Sequence, residues 1–222
     1  MNILILATHF NTGGITSYVV SLAKGFTKAG HCVYVISSGG DREKDLDAVG
    51  AKHITLDIKT KSEASFKIYC HIPKVIACVR ENHIDIIHAQ TRITQVLASF
   101  VSALTKVPYV STCHGFFTPK LIRKIFPCWG KAVIAISAQV EGHLKDDLGC
   151  PQSKIFAVPH GLDVEREIWS EEHKKEQSRR IGLNEGAIIG IVARLSSVKG
   201  QDILIEAMPK VVGRFPDANL LL

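Results

Sequence analysis

Short apolar runs recur along most of the chain, and their spacing constrains the fold more than any other feature of the sequence. Each run has four to six residues, which suits a buried strand better than a helix. The stretches between the runs are long enough for helices. Strands and helices that alternate in this way predict a parallel sheet with helices on both faces. The predicted strands are residues 2–7, 32–37, 53–56, 84–88, 109–112, 132–136 and 154–158.

The segment after the first predicted strand has the apolar pattern of an amphipathic helix. Its apolar residues recur at steps of three and four, which places them on one face. They are Ile15, Tyr18, Val19, Leu22, Ala23 and Phe26. Gly30 is predicted to end this helix, because glycine readily adopts the conformation of a helix C-cap. A second apolar stripe follows residues 68–79, where Pro73 is expected to kink or split the helix.

Composition places the chain among globular proteins. Of its 222 residues, 46% are hydrophobic and 22% are charged, which is ordinary for a folded protein. No apolar run approaches the roughly 18 to 20 residues that cross a bilayer. The amino terminus lacks the basic region and cleavage site of a secretory signal. The six cysteines include no CxxC pair, so we expect reduced thiols in a cytoplasmic protein.

Two glycines precede the first predicted helix, in a loop that reads Asn11-Thr12-Gly13-Gly14. Because glycine has no β-carbon, its backbone lets N–H groups approach a phosphate or a sugar at the helix N-terminus. The alternative is structural, namely a strand-to-helix turn that requires glycine for a positive φ.

Two cations follow an apolar run near the other end of the chain. Residues 188–193 are predicted to form a strand, Arg194 and Lys199 lie in the polar turn after it, and a helix is expected from Gln201. Ligands bind at the carboxyl ends of strands in doubly wound sheets, and two fixed cations beside a helix N-terminus suit a diphosphate. The pair therefore indicates the start of a second nucleotide-handling domain.

A stretch of mixed charge separates the two predicted domains. Residues 165–180 are rich in charged side chains and poor in apolar ones, which is typical of a solvated linker helix. We therefore predict a first domain over residues 1–164, a linker over 165–186 and the start of a second domain over 187–222.

Five short segments stand in a specific order and spacing. They are the loop Asn11-Thr12-Gly13-Gly14, Ser111-Thr112-Cys113-His114-Gly115, Ala135-Ile136-Ser137, Val158-Pro159-His160-Gly161-Leu162-Asp163, and Arg194 with Lys199-Gly200. As a set they resemble the GT4 family of glycosyltransferases, which have the two-domain GT-B fold. The resemblance implies an α/β chain with a Rossmann-like, doubly wound parallel sheet as the acceptor-side domain. A truncated second Rossmann-like domain, for the nucleotide sugar, would follow, so the chain resembles about the first 60 percent of such an enzyme.

The resemblance implies transfer of a sugar from a UDP- or GDP-sugar to a glycan, lipid-linked or small-molecule acceptor, with retention at the anomeric carbon. Negative charge builds on the departing diphosphate, so hydrogen-bond donors fixed at the phosphates lower the barrier. Arg194 and Lys199 match the basic pair that the family uses there, and Gly13 and Gly14 match its glycine loop at the donor phosphates. Enzymes of the GT-B fold generally need no metal, so we expect neither a metal ion nor a cofactor.

His114 is the catalytic residue that the resemblance implies. In the family, a histidine at this place contacts the donor sugar and helps to stabilise the reacting centre. We therefore expect hydrogen bonding and electrostatic stabilisation rather than nucleophilic attack. Many relatives have an aspartate where this chain has Gly115. Cys113 is expected to be a small buried residue and not a nucleophile.

Four further residues are expected to bind substrate, namely Asn11, Thr12, Gly161 and Asp163. Gly161 is predicted to permit a turn. Asp163 either caps a following turn or hydrogen-bonds within the cleft. Ser137 is predicted to cap the next helix.

A basic and aromatic stretch spans residues 116–131, where Thr118 and Pro119 are good opening residues for a helix. With a net charge of +6, this stretch suits peripheral contact with an anionic membrane on its cytoplasmic face. The alternative is an ordinary amphipathic helix whose apolar side, with Leu121, Ile122, Ile125 and Trp129, packs on the sheet. The charge is spread along the chain and no recognised module is present, so nucleic acid is not an expected partner.

The glutamate pair that GT4 enzymes carry deep in the second domain lies beyond the sequence given, so we expect the 222 residues alone to be inactive or nearly so. A non-enzymatic binding module and a sugar-nucleotide epimerase on the same fold are the alternatives. A dehydrogenase is disfavoured, because no GxGxxG follows the first strand and only Asp41 resembles the acid that would bind a ribose.

Overall fold

The computed structural model describes residues 1–60, 62–63, 65–119, 121–161, 170–183, 186–193 and 195–222, without the side chains of Leu121 and Lys124. The chain divides into two compact units, Met1–Leu162 and Asp163–Leu222. The domain boundary that the sequence predicts, after residue 164, lies outside the described residues.

The first unit is built on a parallel sheet whose seven strands are those that the sequence predicts, with ends that differ by at most two residues. The order across the sheet is β3-β2-β1-β4-β5-β6-β7, and every neighbouring pair is parallel. The predicted doubly wound fold is therefore confirmed. The strands are β1 (Asn2–Leu6), β2 (Cys32–Ser37), β3 (Lys52–Thr55), β4 (Ile86–Ala89), β5 (Tyr109–Cys113), β6 (Ala132–Ala135) and β7 (Ile155–Ala157).

Helices cover both faces of this sheet. Alternate residues of a strand point to opposite faces, and the side chains of β1 accordingly divide between two cores. Ile3 and Ile5 pack with Val19, whereas Leu4 and Leu6 pack with other helices of the first unit. The helices are α1 (Gly14–Lys28), α2 (Lys44–Ala48), α3 (Phe66–Cys70), α4 (Ile72–Glu81), α5 (Arg92–Thr105), α6 (Leu121–Ile125) and α7 (Ala138–Gly142), and a π-helical turn, His143–Asp147, continues α7.

Two local signals in the sequence end and begin helices as predicted. Gly30 follows the C-terminus of α1 with a φ of 82°, a left-handed conformation that glycine adopts without strain. Pro73 is the second residue of α4, where its missing N–H costs no hydrogen bond within the helix. The apolar stripe is therefore split into α3 and α4 rather than kinked.

Helix α5 begins with a capping box that fixes the chain just after β4. Thr91 Oγ1 accepts a hydrogen bond from the Thr94 N–H, and Thr94 Oγ1 accepts one from the Thr91 N–H. The Gln90 N–H donates to the Leu6 carbonyl at 3.0 Å. These bonds hold Gln90 at the carboxyl edge of the sheet.

The second unit contains a strand, a helix and a strand in the order that the sequence predicts. Strands β8 (Ile188–Gly190) and β9 (Asn219–Leu221) pair in parallel, and helix α9 (Gln201–Val212) connects them. Helix α8 (Glu171–Arg180) has no buried residue, as expected of the charged stretch. Large apolar side chains of this unit are exposed, with Val192 at 99% and Val198 at 82%.

Candidate active site

The crevice of the sheet lies between β1 and β4, where the strand order reverses. Thr8 follows β1 and Thr91 follows β4, and their hydroxyl oxygens are 2.6 Å apart. An open cleft of about 540 Å³ lies at this point, and its lining includes His9, Ile15 and Lys59. The glycine loop and His114 lie near the same edge of the sheet, because both follow strands at their carboxyl ends.

The glycine loop does not need glycine for a positive φ. Gly13 is the N-cap of α1, and its φ of 165° is extended backbone that any residue adopts. Gly14 is the first residue of α1, and a β-carbon placed on it would meet no atom within 4 Å. The structural alternative for this loop is therefore wrong. The two glycines leave the N-terminus of α1 open to approach.

Asp41 holds this loop in place. Its carboxylate accepts the Thr12 N–H at Oδ1 and the Thr12 hydroxyl at Oδ2, both at 2.7 Å. The Thr12 hydroxyl is the largest cause that lowers the pKa of this exposed carboxyl below its usual range. The sequence had suggested only a ribose-binding acid at this position. In the structure, both carboxylate oxygens of Asp41 instead accept hydrogen bonds from Thr12, in the loop before α1.

The loop after β2 packs closely against the loop after β1. A β-carbon on Gly40 would lie 2.2 Å from the Phe10 carbonyl carbon, so only glycine fits there. The Phe10 N–H donates to the Gly39 carbonyl at 2.8 Å, and the Arg42 N–H donates to the Phe10 carbonyl at 3.1 Å. Backbone hydrogen bonds on both sides of Asp41 therefore hold it near Thr12.

His114 lies directly after β5 in a cluster of polar and aromatic side chains. Its Nε2 is 2.9 Å from Gln90 Oε1. The Tyr18 ring of α1 meets the His114 ring edge-on, with 5.0 Å between centroids, and stacks on the His160 ring at 4.4 Å. The two histidine centroids are 5.5 Å apart. The fold thus brings together residues from α1 and from the loops after β4, β5 and β7.

The electrostatics of the cluster keep its central histidine neutral. Burial, and then the nearby His160, lower the pKa of His114 to about 4. With its Nε2 proton donated to Gln90 Oε1, His114 has Nδ1 left as a hydrogen-bond acceptor. Burial, and then His114, also lower the pKa of His88 to about 4, and His88 Nε2 lies 2.7 Å from Thr112 Oγ1.

Gln90 is a site residue that the sequence analysis missed. Its side chain is only 1% exposed, and its amide links His114 to the buried carboxyl edge of β4. The available signal was a polar residue close to the end of a predicted strand, the position that His114 also has, but His114 was identified by the family resemblance. Without a family motif around it, that signal does not separate a site residue from an ordinary cap.

The remaining predicted site residues have mixed outcomes. Gly161 has no positive φ, and a β-carbon added to it would meet no atom within 4 Å. The residues after it lie outside the described part of the chain, so the turn expected there stays a prediction. Lys199 is exposed in the turn before α9, where it was predicted. Asp163 and Arg194 lie outside the described residues.

Two neighbours of the site have the structural roles expected of them. Ser137 Oγ accepts the Val140 N–H and caps α7. Cys113 is 8% exposed, and burial raises the pKa of its thiol, which suits a packed residue. All six cysteines are free thiols. In the described part of the chain, no group of three or more His, Cys, Asp or Glu side chains is placed to hold a metal ion.

The apolar residues around α6 do not all pack on the sheet. Trp129 is 9% exposed, but Ile122 is 47% exposed and Ile125 is 74% exposed. Phe116 and Phe126 are exposed as well. The packing alternative therefore holds for Trp129 but not for Ile122 and Ile125, and the side chain of Leu121 lies outside the described part of the chain. Within the described ranges, no helix combines the length and apolar character needed to cross a membrane.

A parallel sheet of this order, with a glycine loop and a histidine cluster at its carboxyl edge, defines a Rossmann-like α/β protein with a ligand cleft at the crevice. Residues 12–166 match the model of the family described as Glycosyltransferase Family 4, which is more than half of the 222 residues. The chain belongs to Glycosyltransferase Family 4.

The chain is also similar to curated proteins that are named as glycosyltransferases. It is 27% identical over 221 residues to the phosphatidyl-myo-inositol mannosyltransferase of Mycolicibacterium smegmatis, across 95% of this chain and 55% of that protein. The chain therefore spans about half the length of this relative.

Solved structures show the GT-B fold. The crystal structure of Anabaena Alr3699/HepE in complex with UDP and glucose matches with a TM-score of 0.83 at 21% identity, over 100% of this chain and 60% of that one. A UDP-N-acetylglucosamine 2-epimerase structure matches with a TM-score of 0.64 at 14% identity, over 99% of this chain and 62% of that one.

Proposed function

We propose that the protein is a retaining glycosyltransferase that transfers a sugar from a nucleotide diphosphate sugar to a lipid-linked acceptor. Membership of Glycosyltransferase Family 4 supports the reaction class. The relative from M. smegmatis, whose name specifies phosphatidyl-myo-inositol, supports a lipid-linked acceptor. The UDP and glucose complex of Alr3699/HepE supports a nucleotide-sugar donor.

The observation that carries the proposal is the neutral His114 in its cluster at the carboxyl edge of the sheet. Its Nδ1 is left as an acceptor for a sugar hydroxyl, and its orientation is fixed by Gln90 and Tyr18. The sugar becomes oxocarbenium-like as the leaving group departs, and a fixed neutral dipole can stabilise that charge without reorganising. His114 would act in this way rather than as a nucleophile.

The second part of the mechanism is neutralisation of the departing diphosphate. The N-terminus of α1, opened by Gly13 and Gly14, presents backbone N–H groups and the positive end of the helix dipole. Arg194 and Lys199 are proposed to bind the donor phosphates. Asn11, Thr12, Gly161 and Asp163 are proposed to contact substrate, and the reaction is proposed to need no metal or other cofactor.

Contact with a membrane surface is part of the same proposal. Residues 116–131 combine exposed aromatic and aliphatic side chains, such as Phe116 and Ile125, with basic residues in a chain of net charge +6. A lipid-linked acceptor would be reached most directly by a protein bound peripherally at the cytoplasmic face.

The variant His114→Gln tests the catalytic role of the histidine. We expect its transfer rate to fall by about 10² to 10³, because one preorganised transition-state contact is lost. The rate is measured with radiolabelled nucleotide sugars and lipid or soluble acceptors, using the full-length product of the gene. His31→Gln, just before β2, is the control and should keep the wild-type rate. Equal rates for His114→Gln and the wild type would show that the role assigned to His114 is wrong.

Analysis of the products separates the alternatives. Nuclear magnetic resonance of the product reports retention or inversion at the anomeric carbon, and the choice of acceptor distinguishes lipid, glycan and small molecule. A changed sugar in the presence of donor alone would indicate an epimerase. Donor binding with no reaction on any acceptor would indicate a binding module. The inactivity of the 222 residues alone stays a prediction, tested by comparing their turnover with that of the full-length product.

A further inference from the structure

A second cavity, of about 40 Å³, lies beside Gln90 in the first unit. Its lining comes from the start of α5, the carboxyl half of β5, the segment around α6, β6 and the turn after α7. Polar side chains such as Ser111, Arg92 and Arg123 stand there beside the apolar Val133 and Leu144. A single water needs about 10–15 Å³ on this measure, so the cavity has room for a group of several oxygen atoms.

The described residues contain two buried side-chain polar atoms without a hydrogen-bond partner, and both belong to residues that line this cavity. They are Gln90 Nε2 and Arg123 Nε. Both atoms carry N–H donors, and Gln90 is only 1% exposed. A ligand that satisfies both must supply acceptors.

The charges around the cavity are not balanced. Arg92 forms an ion pair with Glu63 and donates to the carbonyls of Phe126 and Pro127, each at 2.6 Å. In the part of the chain that the structure describes, no carboxylate forms an ion pair with Arg123. Burial and then the repulsion of Arg92 lower the pKa of the Arg123 guanidinium. The local excess is therefore one positive charge.

We propose that this cavity binds the phosphate group of the acceptor, an inference that rests on the proposed function. A phosphate supplies only acceptor oxygens toward its neighbours, carries the negative charge that Arg123 lacks, and suits a guanidinium fork. Gln90 would then use both ends of its amide, with Oε1 on His114 and Nε2 on the phosphate. The phosphate would anchor the acceptor beside His114.

Calorimetric titration of the 222-residue chain with inorganic phosphate and with glycerol 3-phosphate tests the site. We expect binding that Arg123→Gln weakens at least about tenfold, because a charge-assisted hydrogen bond contributes that much. Arg80→Gln, which removes an exposed guanidinium from the last turn of α4, is the matched control and should bind as the wild type does.

A second variant covers the case in which Arg123→Gln does not fold. Gln90→Glu keeps Oε1 for His114 but puts a carboxylate oxygen where Nε2 stands, so it should abolish phosphate binding by repulsion. Thermal unfolding verifies that each variant is folded. Wild-type phosphate affinity in either folded variant, or no binding by the wild type in any arm of the experiment, overturns the proposal and leaves a water-filled cavity.

Vesicles distinguish the sources of the phosphate. Sedimentation with phosphatidylcholine vesicles that contain phosphatidylinositol, against phosphatidylcholine alone, reports a lipid headgroup. An Arg123-dependent gain only with phosphatidylinositol assigns the site to a lipid, and Arg123-dependent binding of the soluble phosphates alone assigns it to a soluble acceptor.

The same variants separate this site from the proposed function. If the full-length product transfers sugar but Arg123→Gln binds phosphate normally, the phosphate site is wrong and the glycosyltransferase proposal stands. If Arg123 is needed for phosphate binding but no sugar is transferred, the site stands and the activity is wrong. His114→Gln is expected to lose transfer while it keeps phosphate binding.

Discussion

Among single residues, Asp41 shows most clearly how a polar side chain acquires a role from its partner. Its two carboxylate oxygens both accept hydrogen bonds from Thr12, which stands 29 positions earlier. Thr12 immediately precedes the two glycines at the N-terminus of α1. Asp41 is therefore a positioning residue for the loop at which we place the donor phosphates.

We predict that Asp41→Asn weakens donor binding without abolishing the reaction. An amide keeps one acceptor oxygen for the Thr12 N–H and places an N–H group at the Thr12 hydroxyl, which must turn to accept it, so both contacts lose the charge of the carboxylate. The KM for the nucleotide sugar should rise several-fold while kcat changes less, since the loop shifts but the reacting groups stay. Steady-state kinetics of the full-length product measure this.

Asp47→Asn, which changes an exposed carboxylate in α2, is the control for the loss of charge. An unchanged KM in Asp41→Asn would mean that the Thr12 contact does not position the loop for the donor. A KM that lies closer to the wild-type value in Asp41→Glu than in Asp41→Asn would support a positioning role.

Among the elements, the pairing of β4 with β5 buries a histidine that is costly to protonate. His88 is 4% exposed, and its pKa is about 4. Unfolding returns it to its usual value of about 6.5. Between these two pH values the unfolded state therefore binds more protons than the folded state. The stability that the neutral imidazole provides is complete above about pH 6.5 and is lost as the pH falls toward 4.

We predict that His88→Gln makes the protein less sensitive to acid. At pH 5 the histidine should cost the folded state about 2 kcal/mol relative to pH 7. Removing it should shrink the difference in the free energy of unfolding between these two pH values by about that amount. Urea unfolding at each pH measures the difference, and a glutamine can still hydrogen-bond the Thr112 hydroxyl.

His173→Gln removes an exposed imidazole from α8 and is the control for this experiment. The same acid sensitivity in His88→Gln and in the wild type would show that other groups cause it, His114 first among them.

The helices and strands also show how far local sequence patterns predict structure. All seven strands of the first sheet lie where the sequence predicts them. Inner strands such as β1 and β2 are apolar because both of their faces are buried, whereas the edge strand β3 is only partly buried and includes polar residues. Gly30 and Pro73 set helix ends through their own backbone geometry. The packing of α6 was harder to predict, because an apolar helix side has the same sequence pattern whether it packs on a sheet or stays exposed.

At the scale of the whole molecule, charge and exposed apolar surface combine at residues 116–131. The protein has a net charge of +6, and Ile125 is 74% exposed next to this basic stretch. Anionic lipid attracts such a surface, and burial of the apolar side chains adds to the attraction.

We predict that Ile125→Glu reduces binding to anionic vesicles by about tenfold, because it removes apolar burial and adds a repelled charge. Sedimentation with phosphatidylglycerol vesicles measures the binding, and high salt should weaken what remains. Ile181→Glu changes an exposed isoleucine of the second unit and is the control. Equal binding by Ile125→Glu and the wild type would show that residues 116–131 are not the membrane contact.

The amino-acid sequence by itself determined the features with local causes. The order of strands and helices, the caps at Gly30 and Ser137, and the break at Pro73 each depend on residues within a few positions of one another. The family motifs added His114 and the glycine loop. Apolar periodicity and backbone geometry are readable in sequence because the interacting residues are neighbours in the chain.

Only the tertiary structure decided which polar residues meet. Asp41 and Thr12 are 29 positions apart, Gln90 and His114 are 24 apart, and Arg92 and Glu63 are 29 apart. Nothing local to any of these residues specifies its partner. The strand order places the loops after β1 and β2 side by side, and likewise those after β4 and β5, whereas Glu63 and Arg92 follow β3 and β4, which are not neighbours in the sheet. The unpartnered N–H groups at Gln90 and Arg123 emerge only once every other contact is in place.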